Sequence, residues 1–452
     1  MLPSGITVAA TRDAIKANQG KIRCIDVGPC SVSAHWLRTF SSAIAGVLTI
    51  SLSSCSSLKA PNTLFITYAV NINNFKDDKA QVELFLEKHT EAFQRSNPET
   101  QIIYITYPFR KLIEQITLDS RLNLGPDLII VSGVSGIRPP ELRDGNLTSI
   151  LPDKQYFDAI YNSQIQSTAK ENGDYSFAPW IVSTQLACFN NTKIKKSPNT
   201  IQELEELSAS GYKVGLASRP GDLIWSAGTQ GAIAELSSID GQITGVQQQY
   251  PAIRGWLEWL RKAALYQNIY FEPQELLLEN FKNDKLDWVT CKSEHIRNLR
   301  DKMGNTLSFA ALPNGSKAKA APVIITYGFA LGKNSSPAQR RMALKFIKTN
   351  VNTIAQRKLQ LSNTGFLAAN QNVSIPPKSS RELNALNTSL NEQSKFYSKE
   401  WPGVYRWIGA LEKNSQRSAY RYKQLISALS ELTDGYLSVN EAFKIITSTT
   451  TN

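Results

Sequence analysis

Between Thr63 and Val131 the hydrophobic pattern alternates between a strand period and a helix period, and this constrains the fold more than any other feature of the chain. Thr63 to Ala69 reads as a strand. Asp77 or Asp78 then caps a helix whose apolar face is Val82, Phe85, Leu86 and Phe93, stopped by Asn97-Pro98. A second strand from Gln101 to Tyr107, a second helix from Phe109 to about Leu122 and a third strand from Asp127 to Val131 complete a β-α-β-α-β start. The third strand is a continuous apolar run, as expected for a parallel strand covered on both faces, and right-handed crossovers set the three side by side. Such sheets take ligands beyond the carboxyl ends of their strands, so the loops of interest are Val70 to Asn74 and Ser132 to Ile137.

The length of 452 residues calls for two or three domains, and 42% hydrophobic side chains supply enough apolar material for large cores. Disorder is excluded as a class. The formal charge of +12 is spread over short pieces (Lys193, Lys195, Lys196; Arg297, Arg300, Lys302; Arg340, Arg341). No aromatic-plus-basic RNA motif or zinc spacing accompanies it, so no nucleic-acid partner is expected.

The run Phe40 to Leu52 carries no charge over 13 residues, follows Arg38, and leads through Ser53 and Ser54 to Cys55. A membrane span needs about 20 apolar residues, so this run is too short to cross. It has the shape of a secretory signal. The spacing resembles a bacterial lipobox, which implies diacylglycerol on Cys55 and removal of residues 1–54; a buried helix that happens to end in Cys is the alternative. Asp13 and Asp26 make the first 34 residues an awkward n-region, which points to a translation start further on, at Val32 or Leu37. Residues 55–62 form a tether. Cys24 and Cys30 leave with the leader, so Cys188 and Cys291 remain, as one disulfide or as two buried thiols. With only His89 and His295 beside them, neither a metal site nor a cofactor is expected.

Several short motifs then follow in a telling order. Phe93-Gln94-Arg95-Ser96-Asn97-Pro98, Gly125-Pro126-Asp127-Leu128-Ile129-Ile130 and Asp144-Gly145-Asn146-Leu147 are followed by Tyr175-Ser176-Phe177-Ala178-Pro179-Trp180 and Ala187-Cys188-Phe189-Asn190. Pro198-Asn199-Thr200-Ile201-Gln202-Glu203-Leu204 comes next, in which Thr200 and Glu203 make a capping box and Gly211 can close the helix. Further on stand Phe281-Lys282-Asn283-Asp284-Lys285, Leu307 to Pro313, Tyr327 to Leu331, and Thr364-Gly365-Phe366-Leu367-Ala368-Ala369-Asn370. In order and spacing this resembles the family 1 extracellular solute-binding proteins, the maltose-binding-like receptors of ABC importers. Two departures stand out: Asp284 replaces a Gly, and Ala368 replaces a Pro. The resemblance implies an α/β, two-lobed, type II periplasmic-binding-protein-like fold with a hinge and an interlobe cleft. Lobe one would comprise residues 63–177 plus 320–372, and lobe two residues 178–319 plus 373–452.

Enzyme motifs fail on inspection. Gly133-Val134-Ser135-Gly136 falls one residue short of a nucleophile elbow, and Gly328 to Lys333 lacks one residue of a phosphate loop. His89 reads as a helix-face residue, and His295 opens a helix. No catalytic residue is expected.

A solute receptor closes around a ligand that touches both lobes, and aromatic faces with a few polar groups line its cleft. The resemblance places Trp225, after the loop Ser218-Arg219-Pro220-Gly221-Asp222, and Trp401 in cleft-facing segments, with Trp180 near a lobe crossing. Tyr68, Ser132, Asp222 and Tyr327 are candidates from strand ends and the adjoining loop. Trp256, at helical spacing with Ile253, Leu257 and Leu260, reads as core, and Trp259 as core or support. The segment after Phe281 runs Trp288-Val289-Thr290-Cys291-Lys292-Ser293, without the family's usual Gly-Pro-Trp.

The resulting expectation is a monomeric, lipid-anchored, non-enzymatic substrate-binding subunit. It would take a small solute, a carbohydrate first of all, and deliver it to ABC permease subunits. Its place would be the bacterial cell envelope, on the outer face of the cytoplasmic membrane or in the periplasm, held through Cys55. The alternative is a surface lipoprotein that keeps the receptor fold and acts as a sensor or interaction partner without transport. A secreted hydrolase has the weakest support.

Overall fold

Apolar strands joined by amphipathic helices bury both sheet faces, and the chain does this twice. The structure, a computed structural model, describes residues 62–70, 75–108, 111–134, 147–239, 249–316, 318–362, 364–376, 379–408 and 415–448. These belong to one compact unit, Cys55–Asn452. The leader, Cys55 and its tether to Pro61, and most of the loops 70–74 and 132–137 lie outside the described residues.

The strands are β1 (Thr63–Val70), β2 (Gln101–Pro108), β3 (Leu128–Val134), β4 (Thr148–Ser149), β5 (Lys170–Glu171), β6 (Asp174–Tyr175), β7 (Ala178–Asn190), β8 (Val214–Ala217), β9 (Ile269–Glu272), β10 (Trp288–Lys292), β11 (Leu307–Ala310), β12 (Ile324–Gly332) and β13 (Leu367–Ala368). The main order is β2-β1-β3-β12-β7-β10-β8-β9. As the sequence pattern requires, β1 is parallel to both β2 and β3. Asp127 pins this edge: its carboxylate accepts from Phe65 N (2.9 Å) and from the Ser335 hydroxyl (2.8 Å).

β7 carries the chain from one lobe to the other. Its first half pairs with β12 and β13, and its second half with β10 and β11. All 13 of its residues are buried, and neighbours alternate between faces: Leu186 and Cys188 enter one core, Ala187 and Phe189 the other. The first core continues from lobe one through Ile181 and Val182 to Phe281, Leu299 and Leu386. The second holds Trp225, Trp256, Trp259, Trp288, Trp401 and Trp407 on the far side of lobe two. Cys188 and Cys291 are joined as a disulfide across β7 and β10, with Cα atoms 5.9 Å apart.

Local signals act where the residues place them, with small shifts. The helix Phe75–Ser96 begins before Asp77 and Asp78, so these lie in its first turn instead of capping it. The next helix is shorter than its pattern suggested, Leu112–Arg121, and β3 is longer, reaching Val134 because it pairs along its length with β12. Thr200 Oγ1 accepts from Glu203 N, but the Glu203 carboxylate returns to Asn199 N instead of to the cap residue. Gly211 follows with φ +93°, and Ser438–Glu441 forms a full reciprocal capping box.

Candidate ligand-binding cleft

β10 runs parallel to β8, so its carboxyl end points to the edge where an open sheet receives ligands. The residues leaving that end, Lys292-Ser293-Glu294-His295, meet β12 and the Thr364–Phe366 loop of the other lobe. Ser293 is the joint: its hydroxyl accepts from Thr184 N (3.1 Å) and donates to Ser183 Oγ (3.1 Å), both on β7. Gly365 lies over it at φ +81°, and a Cβ there would fall far inside contact distance of the Ser293 carbonyl oxygen. The Tyr327 hydroxyl of β12 donates to Glu294 Oε2 and so bridges the lobes directly. Burial first, and then the Glu294 charge, hold the Tyr327 phenol protonated well above its usual range.

An aromatic wall extends from this bridge. Phe366 sits edge-on to Tyr327 with centroids 6.0 Å apart, Phe85 lies 5.6 Å from Phe366, and Trp180 lies 5.5 Å from Phe85. The polar side belongs to lobe two. Asp222, in the first turn of the helix Pro220–Thr229, pairs with Lys292 Nζ at 3.0 Å, and Gln185 of β7 fixes the Asp222 carbonyl (3.0 Å) and Val323 N (2.9 Å) together. Burial lowers the Lys292 pKa, but Asp222 and Glu294 outweigh it and the net shift is upward, so the ammonium stays charged. His295 is pushed the other way, chiefly by burial, and is neutral at pH 7; its Nε2 stands 3.8 Å from Glu294 Oε1.

The structure thus brings Asp222 and Tyr327 into one cluster through Lys292 and Glu294, with Ser132 beside Tyr327 as its cross-strand neighbour. Trp180 is 2% exposed and packs on Phe329 (4.9 Å) at the inner end of the aromatic wall. Tyr68, also 2% exposed, lies edge-on to Tyr104 near Thr106 and Glu83. Trp225 and Trp401 are fully buried in the second core. Trp225 is edge-on to Trp259 and Trp401 is stacked on Tyr405, with its indole N–H on Ser394 O (3.2 Å). Neither is joined to the Tyr327 cluster. Trp256 is core, as its spacing indicated. Sequence reasoning passed over Lys292 and Glu294; the strand-end rule applied to β10 would have found them.

Among the described residues no three His, Cys, Asp or Glu side chains converge as a metal site. A depression elsewhere on lobe one is lined by Asp153, Arg341, Lys345 and Lys348, of which Lys348 pairs with Asp153 and Lys345 donates to Asn97.

No family model matches the chain, and no curated protein matches it. Solved structures do. The GacH receptor of Streptomyces glaucescens, described unliganded and with acarbose, superposes with a TM-score of 0.60 at 14% identity, covering 85% of this chain and 97% of that one. Maltose-bound MalE3 of T. maritima gives 0.57 at 16% identity over 85% and 98%, and a chitin oligosaccharide binding protein gives 0.60 at 13% over 85% and 98%. At such identities it is the fold that is shared. The chain has the two-lobed, type II solute-binding-protein fold.

Proposed function

We propose that this chain is the substrate-binding protein of an ABC importer, taking a small solute, a carbohydrate by preference, in the interlobe cleft. The observation that carries the reading is the Tyr327–Glu294 bridge, set between the rings Phe85 and Phe366 of lobe one and the Asp222–Lys292 pair of lobe two. Rings stack on the apolar faces of a pyranose, and carboxylate, ammonium and phenol groups bond its hydroxyls. A ligand replacing that bridge touches both lobes, which is the condition for shifting an open–closed equilibrium. Lobe one is residues 63–177 plus 320–372 and lobe two residues 178–319 plus 373–452; Ser132, Asp222 and Tyr327 are the ligand-facing residues, Tyr68 and Trp180 support them from beneath, and Trp225 and Trp401 pack the second core. In this reading the protein is a monomer without catalytic activity, residues 1–54 are a signal, Cys55 carries lipid, and a permease at the cytoplasmic membrane receives the solute. The Cys188–Cys291 disulfide fits an oxidising compartment. No described helix is long and apolar enough to cross a membrane.

A thermal-shift screen of the chain against oligosaccharides, polyols, polyamines and anions tests binding. A ligand at 100 times its dissociation constant adds about 2.7 kcal/mol, a readily detected rise in melting temperature. Silence across the whole panel overturns the proposal.

A further inference from the structure

Beside the aromatic wall lie polar groups without partners among the described residues. His89, on the lobe-one helix Phe75–Ser96, stacks against Phe85 at 4.6 Å, and its Nε2 is buried with no hydrogen-bond partner among the described residues. Thr364 Oγ1, in the loop that presents Phe366, is buried and without a partner in the same sense. Across the lobes, Ile296 touches the Gly365 position, and Arg297 follows it on the helix Ile296–Met303. Arg297 is a half-buried residue, and no described carboxylate pairs with it. The carboxylate one turn away, Glu294, is engaged by Tyr327.

Charge completes the picture. The imidazole of His89 is held down to about 4 by burial first and then by Lys88, Lys358 and Arg297, of which Lys358 also faces Glu91 at 4.0 Å. An arginine drawn partly out of water usually finds a planar acceptor, because the desolvation of its charge is otherwise uncompensated. Here Arg297 is left without a carboxylate, beside an imidazole and a hydroxyl that can each turn a donor toward an acid.

We infer that the cleft is built for a solute bearing an acidic group, a carboxylate or a phosphate, seated between Arg297 of lobe two and His89 of lobe one, with Thr364 as a further donor. This rests on the solute-binding reading of the cleft and narrows its ligand class. The acidic group contacts both lobes and so favours closure, while the rest of the solute lies along Phe85, Phe366 and Tyr327.

Calorimetric titration of the full chain with matched pairs tests this: galacturonate against galactose, glucuronate against glucose, and glucose 6-phosphate against glucose. The acidic member of at least one pair should bind ten-fold or more tightly than its neutral parent, and the carboxylate and phosphate arms tell which acid is seated. Arg297→Gln should erase that preference while leaving neutral-sugar affinity within about two-fold, and Arg297→Lys should keep part of it. Neutral sugars that bind as well as the acidic ones overturn this inference and leave the solute-binding reading standing, as does an Arg297→Gln variant that weakens both members of a pair equally. Absence of binding in every pair overturns the inference, while the wider thermal-shift panel judges the solute-binding reading.

Discussion

Asp284 shows how a departure in the sequence is absorbed by the fold. It occupies φ +59°, a left-handed conformation that glycine adopts freely, and its carboxylate pairs with Lys193 at 2.8 Å. Asp284→Gly relieves the backbone and loses an exposed ion pair, so stability in urea unfolding should change by less than about 1 kcal/mol. Asp284→Val keeps the strain without the pairing and should cost roughly 1–2 kcal/mol. His89 gives a pH signature. Its folded pKa of about 4 lies below its ordinary 6.5, so the unfolded chain takes up the proton first. Stability from this group is complete above pH 6.5 and is lost as the pH falls from there to about 4; His295, shifted in the same direction, adds to the loss. His89→Gln should flatten the fall in melting temperature over that window, and an unchanged slope would contradict the burial of this imidazole.

At the scale of elements, β7 is the member on which both lobes depend. The Cys188–Cys291 bond closes a loop over a sequence separation of 103 and ties β7 to β10. Replacing both cysteines by serine should cost about 2–5 kcal/mol in denaturant unfolding, and the wild-type chain should lose a similar amount under reductant. The Gly365 loop is the other sensitive element. Gly365→Ala places a Cβ against the Ser293 backbone in a strained conformation, at a cost of about 1–3 kcal/mol. Because Ser293 neighbours Glu294, ligand affinity should fall as well, whereas a stability loss with unchanged affinity would separate the loop from the cleft.

For the whole molecule, two kinds of signal were legible. Periodicity and capping residues gave the β-α-β-α-β start and the helix caps, whereas the two-lobed fold came from the family resemblance that the order of motifs carries. The site was less legible. Lys292 and Glu294 are single polar residues at a strand end, and nothing periodic marks them; Asp222 was found beside an element end, and Tyr327 because the sequence pattern begins its strand there, although β12 starts at Ile324. Tryptophan is ambiguous in principle, since a ring that stacks on a sugar and a ring that fills a core satisfy the same apolar preference. Only packing separates Trp180, at the end of the cleft wall, from Trp225 and Trp401, inside the second core. The Cys188–Cys291 pairing was open for a similar reason: two cysteines far apart in sequence become neighbours only once β7 and β10 pair.

The central claim is that a solute closes the lobes across the Tyr327–Glu294 bridge. Small-angle X-ray scattering of the chain with and without a ligand from the binding screen tests it most directly, with Tyr327→Phe and Glu294→Gln measured alongside. The account predicts a smaller radius of gyration on binding, with weaker affinity in both variants. Tight binding with an unchanged radius of gyration, and with both variants equal to wild type, would contradict it.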